Sequence, residues 1–338
     1  MRTVGLVGAA TQFGVAALAD RFVDTVTAIA SPCIPASIHP GRRACQSLAG
    51  IPATRAWATE KFARSVLASR WRSALLLKHV RSLSGRELRT FLDSHVHVYG
   101  VQRFVQACET RRPLILATLH TEASVLACLA AAQRLATERR FAILYQQTAR
   151  SAGLPALTSQ AGLGVTLLTG LGGIVRALEL LKDGGCIATM PDAFLDVEDT
   201  LAVPFLGRWL RVAGGLTYLA HRSAALILPS YARTQRGPIV RIEVGRLIDA
   251  RNHAGTDARQ STFTLTASLF AELEQRIARA PEHWLYLDRL PRLSTPMELA
   301  RNAASSELLA AIATRCRASP GLLRRVPALA QLIQQVTP

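Results

Sequence analysis

Short apolar runs alternate with helical patterns between Pro113 and residue 245, and this alternation constrains the fold more than any other feature of the chain. Strands that alternate with helices are typical of an α/β domain with a largely parallel sheet. The predicted fold class is therefore α/β, with a mostly parallel central sheet flanked by helices. The runs that predict buried strands are residues 114–119, 141–145, 164–168, 186–190, 225–229 and 239–244.

The residues on either side of this alternation have helical patterns. Residues 57–80 carry apolar side chains at helical spacing, and Ser84 with Glu87 forms a capping-box pattern for a second helix that continues to Tyr99. The sequence thus predicts a helical N-terminal layer over 1–110, an α/β domain over 111–292 and a helical tail over 293–338, with two helices in the tail.

The chain is strongly basic, with 40 Lys and Arg against 23 Asp and Glu and a formal net charge of +17. Such an excess attracts polyanions, which are nucleic acids, anionic membranes or acidic proteins. Aromatic residues make up only 6% of the chain and do not interleave with the basic ones, which argues against nucleic acid. We expect an acidic protein and an anionic membrane surface as partners.

Cysteine usage and the N-terminus indicate where the protein works. The six cysteines include no C-x-x-C pair, so we expect reduced thiols in the cytoplasm. The uncharged run of residues 3–19 is at the lower limit for a membrane span. We expect it to form a helix that packs on the protein or lies on a membrane surface, so the predicted location is cytoplasmic and peripheral on the inner membrane.

His120 and Asp192 each follow a predicted strand. Active sites of open α/β sheets form at the carboxyl ends of strands, so these side chains can converge. A histidine there can act as a general base, or it can cap the next helix. Glu122 can orient the imidazole as the acid of a triad does, or it can favour the positive end of that helix. The residues alone leave these alternatives open.

Other chemistries find little support in the sequence. It contains neither a phosphate-binding loop ending in Lys-Ser/Thr, nor G-x-G-x-x-G, nor the G-x-S-x-G of serine hydrolases. No pair of histidines has metal-ligand spacing on one face. We therefore expect neither a metal nor a cofactor.

Several blocks, taken in order, resemble the bacterial lipid A biosynthesis acyltransferases (the lauroyl/myristoyl family). They cover residues 110–290, and the combination of Val-Pro-Phe-x-Gly with Pro-Glu-x-Trp is the most specific part. The blocks are LILATLH at 114–120, the basic helix pattern at 174–184, Met-Pro-Asp at 190–192 followed by VPFLGR at 203–208, the helix-strand pattern at 216–229, and PEHWLY at 281–286.

The resemblance implies acyl transfer from an acyl carrier protein or coenzyme A thioester to a hydroxyl or amine of a lipid-like or secondary-metabolite acceptor. His120 matches the family's basic histidine. The family's acid, five residues later, is replaced here by Val125, so we assign the partner role to Glu122. The apolar side chains of this region can line or guard an acyl groove, or they can pack as ordinary core or loop residues; they are Val203, Phe205, Leu206, Trp209 and Leu210. The expected substrate-binding residues are Arg176, Asp192, Phe205, Gly207 and Arg208.

An alternative follows from Val125. A chain that lacks the family's acid can be a non-catalytic protein with an acyltransferase-like fold, which binds lipid or carrier protein without turnover. Retention of His120 and of the 203–208 block favours the enzyme.

Overall fold

A computed structural model describes residues 4–135, 138–147, 151, 153–192, 200–253 and 257–296. Of the helical tail predicted over 293–338, residues 297–338 lie outside these residues, and the described residues Ser294–Pro296 form a short strand, not the start of a helix. Among the described residues, none of the helices combines the length and the apolarity needed to cross a bilayer.

Helices form most of the N-terminal third, as predicted. The capping box is confirmed, because Ser84 Oγ accepts a hydrogen bond from the Glu87 amide while Glu87 Oε2 accepts one from the Ser84 amide. The predicted continuation of that helix to Tyr99 is wrong, since it ends at His95. The helices are α1 (Val4–Cys33), α2 (Pro40–Ala49), α3 (Glu60–Ser82), α4 (Gly85–His95) and α5 (Val101–Glu109), with a 3-10 helix at Pro52–Trp57.

The central sheet is mixed and mostly parallel, which confirms the predicted α/β class. Along the sheet the order is β1-β9-β8-β2-β5-β3-β4; β9 runs antiparallel to β8, and β10 also pairs with β8. The strands are β1 (Val96–Tyr99), β2 (Leu114–Thr118), β3 (Phe141–Leu144), β4 (Thr166–Leu168), β5 (Cys186–Thr189), β8 (Leu226–Thr234), β9 (Val240–Val244) and β10 (Ile248–Asp249).

Strand β1 explains why the helix at α4 stops early. Its residues pair in parallel with β9, from Val96 opposite Val240 to Tyr99 opposite Glu243. Val96 and Val98 are β-branched, and β-branched side chains lose rotamer freedom in a helix but pack well on a sheet. For these residues, pairing with β9 is therefore more favourable than continuing α4, although their apolar side chains have helical spacing.

Both faces of the sheet are covered. In β2 all five residues are buried: Ile115 and Ala117 face one apolar cluster, Leu114 and Leu116 the other. Helices α8, α9 and α10 contribute to the first cluster, and α4, α6 and α7 to the second. The helices after β2 are α6 (Ser124–Leu135), α7 (Leu154–Ala161), α8 (Gly170–Lys182), α9 (Gly215–Ser223), α10 (Ala258–Ile277) and α11 (Leu290–Leu293).

Residues 200–213, which contain the VPFLGR block, form a β-hairpin. Strands β6 (Thr200–Phe205) and β7 (Arg208–Ala213) pair antiparallel, and β11 (Ser294–Pro296) adds to β7. Leu206 and Gly207 form the two-residue turn, with φ of 50° and 71°. Positive φ at both turn positions matches the right-handed twist of the paired strands, so Gly207 serves the backbone here.

Candidate active site

His120 and Asp192 meet at the carboxyl edge of the sheet. Strands β2 and β5 are parallel neighbours, with Ala117 opposite Thr189, and each chain continues past its strand into the site. His120 Nδ1 lies 2.7 Å from Asp192 Oδ1. The convergence expected from the strand ends is therefore what the structure has.

The hydrogen-bond partners assign the imidazole tautomer. A carboxylate oxygen accepts, so the proton in this contact belongs to His120 Nδ1, and Nε2 is left with its lone pair. The His120 side chain is 23% exposed, whereas that of Asp192 is fully buried. The site thus holds a histidine with one nitrogen fixed by an acid and the ring partly open to solvent.

Asp192 also accepts hydrogen bonds from two other groups. The backbone amide of His120 donates to Oδ1 and Oδ2 at 3.1 and 3.0 Å. The indole Nε1 of Trp284 donates to Oδ2 at 2.8 Å. A buried carboxylate needs such donors to replace the water it has lost, and here both oxygens have them.

The segment 281–289, which we term the clamp segment, lies against His120. The Leu285 amide donates to the His120 carbonyl at 3.0 Å, and Thr121 and Trp284 form an isolated β-bridge. The Tyr286 ring stands edge-on to the imidazole, with the ring centroids 5.0 Å apart. The clamp segment therefore contacts both residues of the His120–Asp192 pair.

Glu122 does not take the place that the sequence predicted for it. Its Oε1 lies 3.0 Å from Nη1 of Arg70 on α3, and Nη2 of the same arginine donates to the Leu285 carbonyl at 3.3 Å. Asp192 occupies the Nδ1 side of His120 instead. Val125, at the family's acid position, packs partly buried against the apolar cluster beside α6. The acid next to His120 thus comes from the end of β5.

Phe205 and Arg208, two hairpin residues predicted to bind substrate, contact other residues of the protein. Phe205 is 1% exposed, and its ring packs edge-on against Trp284 with centroids 5.5 Å apart. Arg208 donates from Nε to Ser294 Oγ at 2.6 Å and from Nη2 to the Ser294 carbonyl at 2.8 Å. Burial lowers the pKa of the Arg208 guanidinium. The hairpin thus has a structural role, because it packs against Trp284 of the clamp segment.

Of the two alternatives for the apolar side chains of 203–210, the structure supports core packing over an acyl groove. Val203, Phe205, Leu206, Trp209 and Leu210 are at most 5% exposed and belong to the apolar core. These side chains face the core because β6 and β7 cover α10 and the clamp segment. Any acyl groove must therefore be built from other residues.

An apolar pocket lies between the sheet and helices α5 and α6. Thr118, two residues before His120, is part of its lining, and the Thr118 hydroxyl is buried without a hydrogen-bond partner among the described residues. The remaining lining is Val98, Val101, Phe104, Leu116, Ala127, Cys128, Ala131, Arg134, Leu228, Ser230, Ile242 and Val244.

Arg176 lies elsewhere, on α8. It is exposed and lines a polar cleft with Arg140, Glu179 and Lys182 beside the edge strand β4. Arg176 therefore lies in a cleft whose lining includes neither His120 nor Asp192. Among the described residues no three His, Cys, Asp or Glu side chains are grouped as metal ligands would be.

Two residues near His120 were not predicted as site residues. Trp284 lies in the Pro-Glu-x-Trp block, which contributed to the resemblance but received no role, and Arg70 lies in a helix that sequence reasoning treated only as packing. Neither contact has a local signal, because 92 residues separate Trp284 from Asp192 and 52 separate Arg70 from Glu122. Only the fold brings them together.

The chain matches a family model described as bacterial lipid A biosynthesis acyltransferase over residues 68–292, about two-thirds of its length. The matched region contains His120, Asp192 and Trp284. No curated protein matches the sequence. With a family model covering so much of the chain, including the whole central sheet, this protein belongs to the bacterial lipid A biosynthesis acyltransferase family.

Proposed function

We propose that the protein transfers an acyl group from an acyl carrier protein or coenzyme A thioester to a hydroxyl or amine of a lipid-like or secondary-metabolite acceptor. The observation that carries this proposal is the His120–Asp192 pair at the ends of β2 and β5. Family membership supports acyl transfer to a lipid-like acceptor in general. The donor, the base and the acceptor group are the finer parts of the proposal.

His120 acts as the general base. Nε2 takes the proton of the acceptor O–H or N–H while that oxygen or nitrogen attacks the thioester carbonyl. Asp192, on the Nδ1 side, holds the ring orientation and stabilises the imidazolium. When the tetrahedral oxyanion collapses, the C–S bond breaks and Nε2 returns the proton to the departing sulfur, which gives an ester or amide and a free thiol. The base is then regenerated without an external oxidant or reductant.

The apolar pocket beside α6 is suited to the acyl chain. Its lining is nearly all apolar and includes Thr118, on the strand that leads to His120. A chain placed there would have its thioester end toward the carboxyl edge of the sheet. The substrate contacts predicted for Arg176 and Arg208 stay predictions, since both residues have other neighbours in the structure.

The net charge of +17 supports two further parts of the proposal. An acidic carrier protein is attracted to a basic surface, and so is an anionic membrane. A peripheral position on the cytoplasmic side of the inner membrane would bring the site to a lipid acceptor. Val125 favours the non-catalytic alternative, but Asp192 supplies a carboxylate at His120 by another route and so weakens that argument.

The test offers the purified protein an acyl carrier protein thioester, an acyl-coenzyme A and a cell extract of lipids and metabolites. Mass spectrometry follows thioester loss and new acylated products. His97, an exposed histidine on β1, provides the matched control. We expect a product that requires His120, so His120→Ala abolishes it and His97→Ala does not. Donor binding without turnover in the unaltered protein would favour the non-catalytic alternative.

A further inference from the structure

We infer that Trp284 is a positioning residue, which holds Asp192 in the orientation that fixes His120 for catalysis. This inference rests on the proposed function. Trp284 does not contact the imidazole nitrogen itself; its indole Nε1 donates to Asp192 Oδ2 at 2.8 Å, while Oδ1 of the same carboxylate faces His120 Nδ1 at 2.7 Å. The three groups form a chain from indole to carboxylate to imidazole.

Burial makes this hydrogen bond consequential. Trp284 and Asp192 are both fully buried, so water cannot replace the indole as a donor. A carboxylate that loses one of its donors in such surroundings rotates or moves toward the remaining donors. Both remaining donors belong to His120, through its amide and Nδ1. The predicted consequence is a misplaced imidazole.

The indole itself has little freedom to move. Phe205 packs edge-on against it at 5.5 Å between centroids, and Tyr286 does so at 6.5 Å. The backbone of the clamp segment also contacts His120, because the Leu285 amide donates a hydrogen bond to the His120 carbonyl. Trp284 therefore transmits the position of the clamp segment to the acid.

Trp209 supplies a matched control. It is another buried tryptophan of the same apolar cluster, at 5% exposure, and its indole N–H has no acceptor among the described residues. Trp284→Phe and Trp209→Phe remove the same atoms, but only the first removes a donor from Asp192. A general packing effect would appear in both variants.

The experiment measures kcat and KM for these two variants, for Asp192→Asn and for the double variant Trp284→Phe/Asp192→Asn. We expect Trp284→Phe to lower kcat by about 10- to 100-fold, the size of one charge-assisted hydrogen bond, with KM within about twofold. Trp209→Phe stays within about twofold. Because Trp284 acts through Asp192, the double variant has the kcat of Asp192→Asn alone.

Independent, multiplicative losses in the double variant, or equal losses in Trp284→Phe and Trp209→Phe, would overturn the inference. If Trp284→Phe fails to fold, the indole N–H signals of the unaltered protein and of Asp192→Asn are compared by ¹⁵N NMR. The Trp284 signal must then shift while that of Trp209 stays. The proposed function fails separately, when His120→Ala retains activity.

Discussion

At the scale of single residues, the buried carboxylate of Asp192 lies on the Nδ1 side of His120, where its charge acts directly on the imidazole. Asp192→Asn keeps the size of the side chain but removes the charge that favours the Nδ1–H tautomer and the imidazolium. We expect kcat to fall by about 10³-fold or more, with the fold retained. Steady-state kinetics and circular dichroism check this.

Glu122→Gln is the control for that experiment. It keeps the shape of a residue two positions from His120 but weakens only the pairing with Arg70. We expect a loss of less than about tenfold, because a partly exposed ion pair contributes little. A larger loss for Glu122→Gln than for Asp192→Asn would return the partner role to Glu122.

His283 gives the protein a defined acid sensitivity. Burial, and then the charges of Arg233, Arg72 and Arg70, lower the pKa of His283 from 6.5 to about 3. Between these two pH values the unfolded chain binds a proton that the folded chain does not, so stability is lost as the pH falls through this window. The loss is at most about 1.4 kcal/mol per pH unit.

The variant His283→Asn tests this pH dependence. Asparagine can still hydrogen-bond Ser69 Oγ, which lies 2.8 Å from His283 Nδ1, but it does not titrate. We expect the unfolding free energy of the variant, measured by denaturant titration, to depend less steeply on pH between 6.5 and 3. The exposed-histidine variant His97→Asn should keep the slope of the unaltered protein; equal slopes in all three proteins would contradict the assignment.

At the scale of elements, helix α6 supplies part of the lining of the apolar pocket. Ala131 lies in the pocket lining, two turns into the helix. Ala131→Phe fills space that an acyl chain would use, so we expect the preferred chain to become shorter while a short-chain donor is turned over as before. Competition between acyl donors of different lengths measures this.

Val105 on α5 provides the comparison for the pocket. It is 45% exposed and is not part of the lining, although Val101 and Phe104 of the same helix are. Val105→Phe adds a similar bulk toward solvent and should leave the chain-length preference unchanged. If Ala131→Phe also leaves it unchanged, the acyl chain lies elsewhere.

Some of the strands could be predicted from the sequence, and others could not. Buried strands such as β2 and β5 have continuous apolar runs, so their existence and the placement of His120 and Asp192 at their ends were predictable. Strand β1 was not, because its partner β9 is distant in sequence and its pattern resembles a helix end. Strands β6 and β7 pair locally, but Pro204 and Gly207 give their sequence the pattern of a loop. Long-range pairing also decides which acid reaches His120.

At the scale of the whole molecule, the basic surface predicts a salt-dependent choice of donor. With a net charge of +17, an acidic carrier protein is attracted over distances that salt shortens, since the Debye length falls from about 10 Å at 0.1 M to about 3 Å at 1 M. We expect kcat/KM for a carrier-protein thioester to fall steeply with salt while kcat stays nearly constant, because encounter is affected and chemistry is not.

An acyl-pantetheine thioester separates this effect from the reaction itself. It carries the same reacting group as the carrier-protein donor but has no charge to steer, so its kcat/KM should hardly respond to salt. An equal salt dependence for both donors would mean that salt acts on the site or on the fold, and the basic surface would then have no role in donor encounter. If only the carrier-protein thioester responds, long-range charge selects the donor before the His120–Asp192 pair acts on it.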